Sequence, residues 1–253
     1  MSRVQRRKSV ASIYHVIIRG INRQSIFEDE EDNKKFIEIL KKYREVSNYD
    51  IYAYCLMGNH VHILIKENKE ELGQIMRRIC SSYVYWYNKK YERIGPLFQD
   101  RYKSEPVEDD GYLLTVIRYI YQNPVKAGIE NKVEKYIWSD YKEYFEEDIQ
   151  GGKEFVLNIC SMNRVDAIDE FEKHVNKDSD DVCLDVKDEV KMTDNRARDI
   201  IIKAFKIKAA TDLQKFDKEK RNSALKELKE KYRLSIRQIE RLTGINRGIV
   251  QKA

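Results

Sequence analysis

The chain has 253 residues, enough for one good-sized domain and a small second one. A net charge of +5 with 36% charged residues implies solvated helical faces and leans towards polyanionic partners. Four scattered cysteines without a CxxC exclude a cysteine-rich zinc finger, and no apolar run approaches the roughly 20 residues of a membrane span. The basic start, with Arg3, Arg6, Arg7 and Lys8, is followed by no apolar h-region, so the expectation is a soluble cytoplasmic protein with no signal peptide and no membrane contact.

Ile13 to Arg19 reads as a buried strand, followed by a turn, Gly20 to Gln24, that carries Arg23. From Glu30 to about Ser47, Phe36, Ile37, Leu40 and Tyr43 recur at helical spacing. Tyr49 to Leu56 is a second strand, and Gly58-Asn59 turns it into a third. That third strand lies in the stretch Met57-Gly58-Asn59-His60-Val61-His62-Ile63-Leu64-Ile65, rich in β-branched residues. Side chains alternate along a strand, so His60 and His62 share one face. They form half a metal site or are two histidines satisfied by their surroundings.

A second helix spans Leu72 to about Lys90, with Ile75, Ile79 and Tyr83 on one side. Gly95-Pro96 breaks the pattern, and Gln99 to Val107 reads as a fourth strand with Arg101 and Lys103 on one face. Asp109-Asp110 cap a third helix, expected from about Gly111 to Asn123 and stopping before Pro124. The order β-α-β-β-α-β, then a helix, predicts an α+β, ferredoxin-like antiparallel sheet with helices on one face.

Tyr119 and Asn123 stand four apart on the third helix and share a face. Two imidazoles plus an amide oxygen suit Mg2+ or Mn2+ bound together with a phosphate. A tyrosine beside such a site is a nucleophile towards phosphorus or simply a packing residue.

Residues 146–222 are less readable, with Gly151-Gly152 and an acidic run from Asp178 to Asp188 as connecting segments. Leu225, Leu228 and Tyr232 mark a helix. Ser235 caps another, to Leu242, with Ile239 and Leu242 inward, Thr243-Gly244-Ile245 turns, and Asn246 caps a last short helix to Lys252. This is a helix-turn-helix pattern exposing Arg247, Gln251 and Lys252, or a helical hairpin that only packs on the main domain. The expected organisation is 1–145, a connecting region 146–222, and a DNA-binding module 223–253.

Four motifs in order carry a resemblance. They are Tyr14-His15-Val16 with Arg19-Gly20-Ile21-Asn22-Arg23, then Met57-Gly58-Asn59-His60-Val61-His62, then Leu97-Phe98-Gln99-Asp100-Arg101-Tyr102-Lys103, then Arg118-Tyr119-Ile120-Tyr121-Gln122-Asn123-Pro124-Val125-Lys126-Ala127-Gly128. Over roughly residues 10–145 the chain resembles the single-tyrosine HUH transposases, in particular the REP-associated tyrosine transposases. The resemblance implies an HUH domain whose divalent metal, Mg2+ or Mn2+, is held by His60 and His62. It implies that Tyr119 attacks single-stranded or hairpin DNA and leaves a 5′-phosphotyrosine link. By the family's spacing the third ligand falls on Asn123, where many such enzymes carry the longer Gln; Gln122, one residue out of register, ranks second.

Tyr121, about 200° round the helix from Tyr119, is expected to face the core. Arg19, Arg23, Arg101 and Lys103 are read as phosphate contacts or as solvated charges, and His15 as a core histidine or a lining residue. Family members often pair as homodimers, and the C-terminal module is expected to bind duplex DNA. A non-catalytic DNA-binding regulator on the same fold and a small replication or conjugation HUH endonuclease stand as alternatives. The absence of a P-loop argues against a large relaxase.

Overall fold

The computed structural model describes residues 7–149, 151–185, 194–232, 234 and 236–252. Arg3, Arg6, Arg233, the Ser235 cap and the end of the acidic run at Asp188 lie outside the described residues. The chain divides into two compact units, Met1–Val186 and Lys187–Ala253.

The first unit is built on one antiparallel sheet of β1 (Ile13–Arg19), β2 (Tyr49–Met57), β3 (His60–Glu67) and β4 (Lys103–Val107), in the order β2-β3-β1-β4. Helices α1 (Glu30–Ser47), α2 (Leu72–Lys90) and α3 (Asp110–Lys126) join or follow the strands, completing the expected β-α-β-β-α-β order. The cap expected at the third helix holds, the Asp109 carboxylate accepting from the Tyr112 N–H, and the Asp29 carboxylate likewise accepts from the Asp32 N–H in a capping box at the start of α1.

Helices cover both faces of the sheet, not one. Tyr14, Val16, Ile18, Val61, Ile63 and Ile65 meet α1 and α2, whereas Ile13, Ala53, Cys55 and Leu64 meet α3 and two further helices, α4 (Gly152–Cys160) and α5 (Arg164–Asn176). Every residue of β1 is buried, which a strand wetted on one side does not tolerate. The expected connecting region from 146 thus supplies half the second layer. The buried Asp140 carboxylate pins that layer to the sheet, accepting from Tyr54 N–H at 2.7 Å and Tyr121 hydroxyl at 2.9 Å and pairing with Lys153 Nζ at 2.7 Å.

Two boundaries differ from expectation. Helix α3 runs through Pro124 to Lys126, because a proline in the last turn removes a single hydrogen bond close to where the ladder ends anyway. The turn closes with Ala127 N–H donating to the Asn123 carbonyl at 2.9 Å. Strand β4 begins at Lys103, so Arg101 sits in irregular chain rather than on a strand face.

The second unit holds α6 (Asp194–Phe205), α7 (Lys218–Glu230), α8 (Ile236–Thr243) and α9 (Arg247–Lys252), with a 3-10 turn at Ala210–Lys215. Ala197, Ile201, Leu213, Leu225, Leu228, Ile239, Leu242 and Val250 share one core, so α6 and α7 belong with the last two helices. Tyr232 lies just past α7. Gly244, at φ 71°, makes the turn between α8 and α9, a conformation that favours glycine. The Asn246 side chain then accepts from Gly248 N–H at 2.8 Å. No helix among the described residues is long and apolar enough to cross a membrane.

Candidate active site and nucleic-acid interface

The β2–β3 hairpin and the loop after β1 build the site's rim. Gly20 N–H donates to the Asn59 carbonyl and Ile26 N–H to that of Gly58, both at 2.9 Å. A side chain at Gly20 would collide with the Gln24 carbonyl, so the loop can fold this tightly only around a glycine. Asn22 and Arg23 follow at φ 51° and 64°, a strained corner held against the histidine strand.

His60 and His62 lie on one face of β3, with ring centroids 5.0 Å apart. Strand register adds a third histidine. Ile17 pairs with His62, so His15, two residues along β1, stands diagonally beside His62 on the same face. The rings of His15 and His62 stack with centroids 5.3 Å apart, and His15 Nε2 is 3.0 Å from His62 Nδ1. Both are fully buried. The Glu105 carboxylate, directly opposite His15 in the β1–β4 ladder, lies 2.9 Å from His15 Nδ1. Glu105 also accepts from Leu184 N–H at 2.7 Å. Burial raises its pKa, but the bonds from His15 and Leu184 outweigh that and hold the carboxyl below its ordinary value. For His62, burial first and then the neighbouring His15 and His60 push the imidazole well below 6.5, so it is neutral.

Helix α3 brings Tyr119 onto this cluster, its ring 5.7 Å from that of His62 and 6.0 Å from that of His15. Burial first, then the charge of Asp185 and the hydrogen bond that its carboxylate accepts, raise the Tyr119 phenol well above 10. Asn123 donates from Nδ2 to the Tyr119 carbonyl at 2.8 Å, and its side chain also reaches the Tyr119 hydroxyl. That leaves Oδ1 as the atom it can offer a cation. Gln122, the second-ranked candidate, instead donates to the carbonyls of Val175 and Lys177 at 2.8 and 2.9 Å and is a tie between α3 and α5. Tyr121 faces the core as expected.

Among the described residues no group of three or more His, Cys, Asp or Glu side chains is arranged to hold a metal. The donors present nevertheless fit a divalent cation taken up with a phosphate. His62 Nε2 is buried with no hydrogen-bond partner, as a ligand nitrogen awaiting its metal would be.

Residues 8–123 match the family model described as "Transposase IS200 like". The span runs from five residues before β1 to the Asn123 candidate ligand. Over these residues the chain is therefore similar to the IS200-like transposases.

A solved structure of a REP-associated tyrosine transposase bound to a REP hairpin superposes on this chain with a TM-score of 0.51 at 16% identity, covering 60% of this chain and 90% of that one. That likeness shows the fold. A candidate transposase from Deinococcus radiodurans matches at TM-score 0.34 and 14% identity over 51% of this chain and 97% of that one. No curated protein matches the chain.

Beside the histidine cluster, Arg19, Arg101 and Lys103 line a cleft of about 210 Å3 together with Ile17, Gln99, Asp100 and Tyr102. Arg19 is buried and pairs in register with His60. Arg23 is half-buried, on the loop that braces the hairpin. In the second unit Arg247, Gln251 and Lys252 are exposed, as the sequence pattern expects.

Of three further features, the sequence left His15 open as a core or a lining residue and did not pick out the other two. His15 belongs to the histidine cluster, and its signal was the Tyr14-His15-Val16 motif once strand register is known. Glu105 carried no local signal. The third is the segment 177–185, which runs along α3 as a strap. Arg118 pairs with Asp181 through two bonds at 2.7 and 2.8 Å, Lys126 Nζ donates to the Ser179 carbonyl at 3.0 Å, Cys183 is buried, and Asp185 reaches Tyr119.

Proposed function

We propose that this transposase cleaves and rejoins single-stranded or hairpin DNA through a covalent link to Tyr119. The observation that carries the reading is the buried, unpartnered His62 Nε2 lying on the same face as His60 and under the ring of Tyr119. His60, His62 and Asn123 would hold Mg2+ or Mn2+. Such a cation, when bound, draws charge from the non-bridging oxygens of the scissile phosphate.

The chain's own groups supply the rest. Arg19, Arg23, Arg101 and Lys103 grip backbone phosphates along the cleft. The Tyr119 oxygen forms a bond to phosphorus as the bond to the 3′ oxygen breaks, leaving a 5′-phosphotyrosine and a free 3′ end. Asp185, already bonded to the Tyr119 hydroxyl, is in place to take its proton, and the departing 3′ oxygen takes one from solvent. Attack by another 3′ hydroxyl on the phosphotyrosine reverses these bonds, so rejoining needs no ATP.

Hairpin DNA is chosen as substrate because the solved relative is bound to a REP hairpin. Met1–Val186 is the catalytic unit and Lys187–Ala253 a helix-turn-helix unit that binds duplex DNA through Arg247, Gln251 and Lys252. Two copies pair as a homodimer when acting.

The test is incubation of the full chain with labelled single-stranded hairpins and Mg2+ or Mn2+, followed by denaturing electrophoresis. A protein–DNA adduct that EDTA abolishes is expected. No adduct across a broad hairpin panel, or one that forms fully in EDTA, overturns the reading.

A further inference from the structure

Resting on that reading of His62 as a metal ligand, we infer that Glu105 and His15 form a hydrogen-bonded relay that fixes the His62 proton on Nδ1 and presents Nε2 as a lone pair to the cation. Neither Glu105 nor His15 would touch the metal. Both are positioning residues acting through His62.

The order of donors follows from the contacts. Glu105 Oε1 accepts from the Leu184 N–H at 2.7 Å, which only an acceptor oxygen can do. The same oxygen lies 2.9 Å from His15 Nδ1, so that nitrogen carries a proton and donates. In a neutral His15 the other nitrogen, Nε2, is then an acceptor. It lies 3.0 Å from His62 Nδ1, which must be the donor. His62 is left with a lone pair on Nε2, the buried atom that no protein group satisfies. The opposite order would bury an Nε2–H with nothing to accept it, a costly arrangement. Ligating histidines are commonly oriented by such a carboxylate on their other nitrogen; here a second imidazole stands between. Stacking of the two rings, with 24° between their planes, sets the geometry of the middle bond.

The relay also has an anchor. Glu105 is placed opposite His15 by the β1–β4 register, and Leu184 reaches it from the strap over α3. The strap that carries the Tyr119 partner Asp185 therefore also steadies the metal ligand.

The test uses the full chain without DNA. Two-bond proton–nitrogen NMR on the metal-free protein reads the tautomer of each ring, and Mn2+ titration followed by electron paramagnetic resonance reads affinity. The expected spectrum shows Nδ1–H on both His15 and His62. Glu105→Gln, which keeps shape but can turn its amide to donate, should weaken Mn2+ binding about 10- to 100-fold and mix the His62 tautomers. His15→Phe, which keeps the stack, should do the same. Nε2–H on His62 in the parent protein overturns the relay, as does unchanged Mn2+ affinity in both variants. Should Glu105→Gln fail to fold, the parent spectrum still decides. Failure of the cleavage reading is separate: a chain that makes no DNA adduct yet shows these tautomers and affinity losses keeps the relay.

Discussion

Tyr119 and Tyr121 stand two residues apart on α3 and meet opposite surroundings, one against imidazoles, the other against Asp140 in the core. Tyr119→Phe keeps the ring and its packing, so fold and metal binding are expected to persist while the DNA adduct disappears. Tyr121→Phe should still form the adduct but lose about 1–2 kcal/mol of stability, as the buried Asp140 loses a donor. Mass spectrometry of the trapped adduct and denaturant unfolding check the two; attachment to Tyr121 or Tyr112 would sink the nucleophile assignment.

His62 gives a pH dependence of definite sign. Its folded pKa is depressed below 6.5, so on acidification the unfolded chain takes the proton first. No penalty exists above that value, and below it stability falls by up to about 1.4 kcal/mol per pH unit from this group. His62→Gln should flatten the loss between roughly pH 6.5 and 5 in denaturant titrations. The HxH pair was legible because its two members are two residues apart. The Glu105–His15 pair was not, since only strand register brings those residues together across 90 positions.

Among the elements, α1 and α2 were readable to their ends because local signals suffice: Phe36, Leu40, Ile75, Ile79 and Tyr83 recur at helical spacing. The strap 177–185 was not. An acidic run reads as solvated chain unless its cations are known, and Arg118 and Lys126 lie more than fifty residues earlier. The Arg118–Asp181 pair is largely buried, at 11% and 13% side-chain exposure. Arg118→Ala should therefore cost about 1–3 kcal/mol and speed hydrogen exchange across 178–185, measured by mass spectrometry. Unchanged exchange there would show that the strap is held by Gln122, Lys126 and Cys183 without the pair. The both-sided sheet was half legible: the uninterrupted apolar run Val16-Ile17-Ile18 signals a doubly covered strand, but α4 and α5 carry the weak patterns of short amphipathic helices.

For the whole molecule, the division at 186 and 187 decides how the two proposed activities can be separated. A cut at 222 would fall inside α7 and expose Leu225 and Leu228, whereas a chain ending at 186 removes the second unit whole and cuts through no core. Residues 1–186 are expected to fold cooperatively and form the adduct with a short single strand. They should bind duplex DNA more weakly than the full chain, with a shallower dependence on salt because fewer phosphates are neutralised. Equal duplex affinity at several salt concentrations would end the helix-turn-helix assignment. The strap has a consequence for surface chemistry as well. Of the chain's seventeen tyrosines, Tyr85 is 74% exposed and Tyr119 only 8%. A phenol-selective reagent should mark Tyr85 early and spare Tyr119 while the strap is seated. The ratio of label on the two rings is then a gauge, internal to one molecule, of how often Tyr119 is uncovered.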